Sequence, residues 1–240
     1  VFYRQALSCS APAFHLPPRP LIKILPAAGA GFRTAALSAM AYAGSGFPVM
    51  VAGSLEATLQ RTLAPELLSE LTLELKPQSP AGRELVLETL VRSGYTAVSA
   101  VMEPGDFSVR GGIIDVFPPG REAPVRLELW EDEIKSLRGF DPGTQKSLHL
   151  LERVLIPPLK EVILDEEAVH AASGRLQSLA QSLKEDPALD FDRLQLARSM
   201  GQVLSRLERG DHFPGIDRYL PAFPGAAAGT LDYLDPSWVV

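Results

Sequence analysis

With one cysteine, Cys9, among 240 residues, the chain can form no internal disulfide, and that usage suits a reducing compartment. No apolar run reaches the ~18 residues a membrane span needs, and Val1–Pro20 lacks the basic start and long apolar centre of a signal peptide. A cytoplasmic protein with no membrane partner is expected. Positive charge is in short supply: 23 Lys and Arg against 29 Asp and Glu give a net charge of −6. Phosphate binding normally leaves a basic footprint, so DNA is not the expected main ligand. His15, His149, His170 and His212 are scattered, with no metal-ligand spacing. No G-x-S-x-G nucleophile elbow occurs. The Walker A spacing G-x-x-x-x-G-K-[ST], whose backbone N–H groups cradle phosphates, is absent too; Gly29 to Thr34 imitates it without a Lys and reads as a loop leading into a helix. Catalytic residues, metal and bound cofactor are therefore all expected to be none.

What is present is ordinary globular composition, 46% hydrophobic and 22% charged, with room for one large domain or two small ones. A first residue of Val rather than Met suggests a piece of something longer. Apolar runs at Leu21–Leu25 and Phe47–Ala52 predict buried strands, separated by a helix over Phe32–Ala43 and followed by one over Leu55–Leu63 that Gly53-Ser54 caps. Such alternation favours a parallel sheet covered by helices. Leu71–Leu75 predicts another strand. Pro80 and Gly94 bracket a helix over Ala81–Ser93 with Leu85, Leu87, Leu90 and Val91 as its apolar stripe. After Pro157-Pro158, helices are predicted over Glu166–Leu183 and Asp190–Glu208, and the tail closes on a strand-like Ser237–Val240.

The informative stretch is Glu103 to Ser147. In Pro124–Trp130, Val125, Leu127 and Leu129 fall on one strand face, leaving Arg126, Glu128 and Trp130 on the other, and a Trp on a polar face is unusual. Gly111-Gly112 inside the apolar run Val109–Phe117 suggests a bulge or a close backbone approach, and Pro118-Pro119-Gly120 closes a hairpin. Gly139 to Thr144 ends a further strand, Glu133–Phe140, with Asp141 and Pro142 set for a tight turn. A small antiparallel meander results. Glu131-Asp132-Glu133 and Asp165-Glu166-Glu167 read as a solvated turn and an acidic helix start rather than acid/base pairs, and Asp115 as the maker of a structural hydrogen bond.

RGGIIDVFPPG, PVRLELWEDEIKSLR and FDPGTQKS resemble the module shared by the nucleotide excision repair protein UvrB and the bacterial transcription-repair coupling factors (Mfd), in particular the amino-terminal UvrB-like region of the latter. The likeness is strong over about residues 72 to 158 and weaker over 31 to 60 and 209 to 240. It implies an α/β fold: a degenerate RecA-like (P-loop-type) parallel-sheet domain, discontinuous over 1–75 and 159–240, with a small α+β antiparallel module inserted at 76–158. UvrB carries a long aromatic hairpin that probes damaged DNA, and Pro26 to Gly31 leaves no room for one here.

In this family the inserted module is where UvrA docks. The resemblance carries that role to Arg110, Arg126 and Trp130, the last standing where Phe is usual, with Glu128, Asp132 and Arg138 as rim residues. Trp and Arg are also the types most enriched at binding hot spots. Read from composition alone, Trp130 packs instead on the neighbouring core and the arginines form surface ion pairs. The implied function is a non-catalytic adaptor that recruits UvrA to stalled RNA polymerase, and its surface is expected to be masked by other domains of the intact protein. The polymerase, DNA, ATP and Mg belong to downstream motor modules absent from these residues. The rival is a fragment of a UvrB-type damage-recognition ATPase; a domain that only brakes its own motor is a third reading. Arg126→Ala and Trp130→Ala are each expected to weaken UvrA binding by ~2 kcal/mol or more, with folding nearly unchanged.

Overall fold

The computed structural model describes residues 21–25, 30–42, 49–131, 133–185, 191–226 and 228–234. The expected final strand, Ser237–Val240, lies outside them. Strand β1 (Leu21–Leu25), helix α1 (Ala30–Ala41) and strand β2 (Val49–Gly53) form the expected strand-helix-strand unit, with Leu21 opposite Val49 in a parallel pair. Four residues separate β1 from α1. The next helix is shorter than expected: α2 (Leu55–Leu59) stops, and Arg61–Thr62 turns into β3. Helix α3 (Pro65–Leu71) was not legible as such. Pro65 opens it, where a missing N–H does no harm, and Leu68 and Leu71 anchor it.

Among the described residues no further strand joins the parallel β1–β2 pair. Strand β4 (Leu73–Leu75) pairs antiparallel with a strand from far along the chain, β11 (Val154–Ile156). Likewise β3 pairs antiparallel with β12 (Ala228–Gly229). The β4–β11 pair brings the two ends of the intervening segment side by side.

That segment holds α4 (Arg83–Arg92) and a mixed sheet in the order β10-β9-β8-β7-β6-β5: Ser147–Leu150, Glu133–Phe140, Val125–Trp130, Ile113–Val116, Asp106–Arg110 and Thr96–Ala97. Only the short β5–β6 contact is parallel. Alternation works as expected in β8, where Val125, Leu127 and Leu129 are buried against Val86, Leu90, Ile114 and Leu137. The expected stripe of α4 is corrected. Leu87 and Leu90 of that stripe do meet the core, but Leu85 and Val91 are exposed and Val86 is buried in their place, because the helix turns its four-residue-spaced pair Val86 and Leu90 inward.

The glycine pair is corrected too. Gly111-Gly112 is no bulge within one strand but the two-residue turn between β6 and β7, with Arg110 opposite Ile113 and Gly111 at φ 59°. The close approach is there: a Cβ on Gly112 would lie 2.7 Å from the Leu129 carbonyl oxygen, and Gly112 accepts the Leu129 N–H at 2.7 Å. Asp141 forms the expected tight turn, its Oδ1 accepting the Thr144 N–H at 2.6 Å, which holds its carboxyl below the usual range.

The early and late parts of the chain are joined by a buried network. Arg33 on α1 pairs with Glu161 at 2.8 Å and donates to the Ala57 carbonyl and the Gln60 side chain, while Thr34 donates to the Pro158 carbonyl. Arg33 is thus committed inside the fold. Burial pushes the Glu161 carboxyl up to about 7, against the pull of Arg33. Tyr233 donates to the Leu63 carbonyl at 2.8 Å, tying in the far end. Helices α5 (Glu166–Glu185) and α6 (Phe191–Leu207) pack on the 3-10 turn Ile216–Ala222 around Leu176, Val203, Leu207 and Leu220. Asp165 Oδ1 caps α5 by accepting the Ala168 N–H.

Candidate functional site

Directly opposed residues of antiparallel strands share a face, so the sheet's register decides which side chains meet. One lateral row runs Ser108, Asp115, Arg126, Arg138, Leu150; the next runs Arg110, Ile113, Glu128, Ser136. Both rows lie on the face opposite the α4 core. Strand β8 alternates without a break, which puts Trp130 two residues beyond Glu128 on that same face, at the end of the strand. A register shift after Glu128 is absorbed on β9. Arg110, Arg126, Glu128, Trp130 and Arg138 are therefore brought together on one surface; Asp132 lies outside the described residues.

Trp130 is 68% exposed. The reading that it packs on the core is overturned, because the core side of β8 is already filled by its alternating partners. Its neighbour Glu131 turns the chain at φ 53°, left-handed backbone that a non-glycine residue adopts only at a cost of roughly 1 kcal/mol or more. Trp130 thus stands exposed next to the tip of the β8–β9 hairpin.

Arg126 is different. Its Nε and one terminal nitrogen donate to the two oxygens of Asp115 at 2.7 and 2.8 Å, and its guanidinium lies 4.7 Å from the centre of the Phe140 ring. The Asp115 side chain is 3% exposed and that of Arg126 17%. Donating these hydrogen bonds to Asp115 raises the arginine's pKa above its ordinary value. This clamp leaves one edge of the guanidinium outward, with the Gln145 carbonyl at 3.4 Å. The expectation that Arg126→Ala leaves folding nearly unchanged is corrected: removing the guanidinium strands a buried carboxylate.

The remaining polar groups form a looser set. Glu128 accepts from Ser136 at 2.6 Å and faces Arg138 at 3.6 Å, both members of the ion pair being about 40% exposed. Such pairs contribute little to stability and can exchange partners. Arg110, at the end of β6, donates to the Ser99 carbonyl, and Gln145 donates to the Val101 carbonyl at 3.4 Å. The 98–103 segment is thereby held over one end of the face, on Val101, Phe117 and Phe140. Sequence reasoning missed Phe140 and Ser136. Both follow from the β8–β9 register, with Ser136 opposite Glu128 and Phe140 two residues past Arg138, but that register needs the position of the β9 irregularity. The edge leucines Leu148 and Leu150, both exposed, were missed as well.

Among the described residues no group of three or more His, Cys, Asp or Glu side chains is placed to hold a metal ion. No helix among them is long and apolar enough to cross a membrane.

Residues 73–161 match the model of the UvrB interaction domain family, a span that runs from β4 to just past β11 and contains the whole face. The chain is 34% identical over 194 residues to the transcription-repair-coupling factor of Bacillus subtilis, covering 78% of this chain and 16% of that protein. It is 28% identical over 165 residues to the transcription-repair-coupling factor of Escherichia coli, covering 69% and 13%. Against UvrABC system protein B of Thermosipho africanus it is 32% identical over 186 residues, covering 73% and 28%. The chain therefore spans less than a third of the length of these curated relatives. A UvrB interaction domain set within a longer likeness to these factors identifies the chain as a member of the transcription-repair-coupling factor family, matching its UvrB-like amino-terminal region.

Proposed function

We propose that the outer face of the β6–β10 sheet docks UvrA, and that this region acts as a non-catalytic adaptor within a longer transcription-repair-coupling factor. The observation that carries the reading is Trp130: a large aromatic held in the open on a polar strand face, beside arginines and a carboxylate, inside a UvrB interaction domain. Aromatic and arginine anchors surrounded by a polar rim are the usual composition of a binding hot spot. Trp130 and Arg138 are the anchors open to a partner, Arg126 offers its outer edge, Glu128 lies on the rim, and Arg110 holds the 98–103 segment in place beside them.

The wider reading follows from the same family. In the intact protein, ATP, Mg, DNA and stalled RNA polymerase engage other domains, and this face draws UvrA to the site where transcription stopped. The domain plan we propose is a degenerate RecA-like α/β unit over 1–75 and 159–240 with the UvrA-binding module at 76–158. The parallel β1–α1–β2 unit, the β4–β11 pair at the module's root and the Arg33–Glu161 link support it. A UvrB-like ATPase reading gains nothing from Arg33, which is spent inside the fold. Titration calorimetry of the chain against purified UvrA tests the proposal. Saturable binding that Arg138→Glu weakens supports it, while absence of binding by the folded chain rejects it.

A further inference from the structure

Away from this face, α6 and the loop after it enclose an open groove of about 860 Å³. Its floor is apolar and aromatic, from Val203 and Phe213, and its walls carry Arg206, Arg209 and Arg218 with Ser205 between them. Three guanidiniums lining one groove are unexpected on a chain of net charge −6. Arg209 is paired with Asp211 at 3.1 Å. Arg206 lies over the Phe213 ring, 5.0 Å from its centre. Neither Arg206 nor Arg218 has a carboxylate partner among the described residues. Gly215, at φ 84°, turns the chain so that Arg218 comes back to the same opening.

We propose that this groove binds a phosphate group. A single carboxylate is satisfied by one bidentate arginine, whereas two guanidiniums without a carboxylate partner among the described residues, Arg206 and Arg218, with the Ser205 hydroxyl and the Gln202 amide alongside them, match the several oxygens and double charge of a phosphate. The net negative charge does not oppose this, since exposed charges beyond about 8–10 Å are screened at physiological salt. Two sources share this chemistry, a free nucleotide or polyphosphate and the backbone of a nucleic acid strand. The site lies outside residues 73–161 and stands independently of UvrA docking.

The test is calorimetric titration of the chain at low salt with inorganic pyrophosphate and, separately, with a short deoxythymidylate oligonucleotide. Arg218→Glu removes an exposed side chain that has no carboxylate partner among the described residues, and Arg83→Glu on α4 makes the same charge change far from the groove in sequence. Binding of either probe that falls about tenfold or more in Arg218→Glu, and is kept in Arg83→Glu, supports the site. A tighter grip on the oligonucleotide, with affinity falling with salt by ~0.7 in log–log slope per contacted phosphate, identifies a strand backbone as the source; equal or tighter pyrophosphate binding identifies a free phosphate ligand. The proposal is overturned if neither probe binds, if both variants lose binding equally, or if a glutamate oligopeptide competes as well as pyrophosphate.

Discussion

Arg126→Ala takes the positive charge away from a carboxylate that has no other partner among the described residues. Both oxygens of Asp115 are held by Arg126, at 2.7 and 2.8 Å, and the Asp115 side chain is 3% exposed. Breaking a buried pair by removing one member destabilises by roughly 3–5 kcal/mol. Water reaches the outer edge of this guanidinium, which is 17% exposed, so the low end of that range applies. Loss of the contact with Phe140 adds about 0.5–1 kcal/mol. A total of about 3.5–4 kcal/mol is a large part of the 5–15 kcal/mol that a domain of ordinary stability has. Urea unfolding followed by circular dichroism measures it, with an unchanged slope showing that two-state behaviour persists. The double variant Asp115→Leu with Arg126→Met recovers most of the loss, because an apolar pair of similar volume leaves no stranded charge. An Arg126→Ala protein within about 0.5 kcal/mol of the parent would refute the reasoning and make the clamp a surface pair.

Three further outcomes follow from the geometry. Glu161 has a folded pKa raised to about 7 from 4.5 by burial; its contribution is fullest below the ordinary value and is lost as pH rises through about 7. Relative to Glu161→Gln, the parent therefore gains on the order of 3 kcal/mol between pH 7.5 and pH 4.5, read from urea midpoints across that range; parallel pH profiles contradict this. At the β6–β7 turn, Gly112→Ala is expected to lose about 2 kcal/mol or more against the Leu129 backbone oxygen, while Gly111→Asn, left-handed but with nothing within 4 Å, loses about 1 kcal/mol or less. Thermal unfolding of the two variants separates them. Trp130→Ala is expected to leave stability within about 0.5 kcal/mol of the parent, since a side chain with 68% exposure contributes little to the core.

The face was legible where a local pattern decides the structure. Period-two alternation in β8 assigned Arg126, Glu128 and Trp130 to one side because a strand has only two sides, and Asp141 announced its turn because its side chain bonds its own backbone. It was illegible where long-range pairing decides. Nothing local says that β4 meets β11 or that Glu161 meets Arg33, and those contacts are what bring distant parts of the chain together. Gly111-Gly112 signalled a backbone constraint without saying which kind; a bulge and a two-residue turn use the same residue for the same freedom of φ. Leu85 and Val91 misled on α4 because hydrophobicity alone does not fix helix phase when adjacent apolar residues offer more than one stripe. Asp115 was legible as a structural hydrogen-bonding residue, but its partner awaited the register of β7 against β8.

The most direct test of the docking claim is the affinity of purified UvrA for this chain and for Trp130→Ala, measured by titration calorimetry with both proteins shown equally folded by circular dichroism. The account predicts that the variant loses ~2 kcal/mol or more, about thirty-fold in Kd, at unchanged stability. Equal affinities would contradict it and leave the exposed indole without a role in UvrA docking.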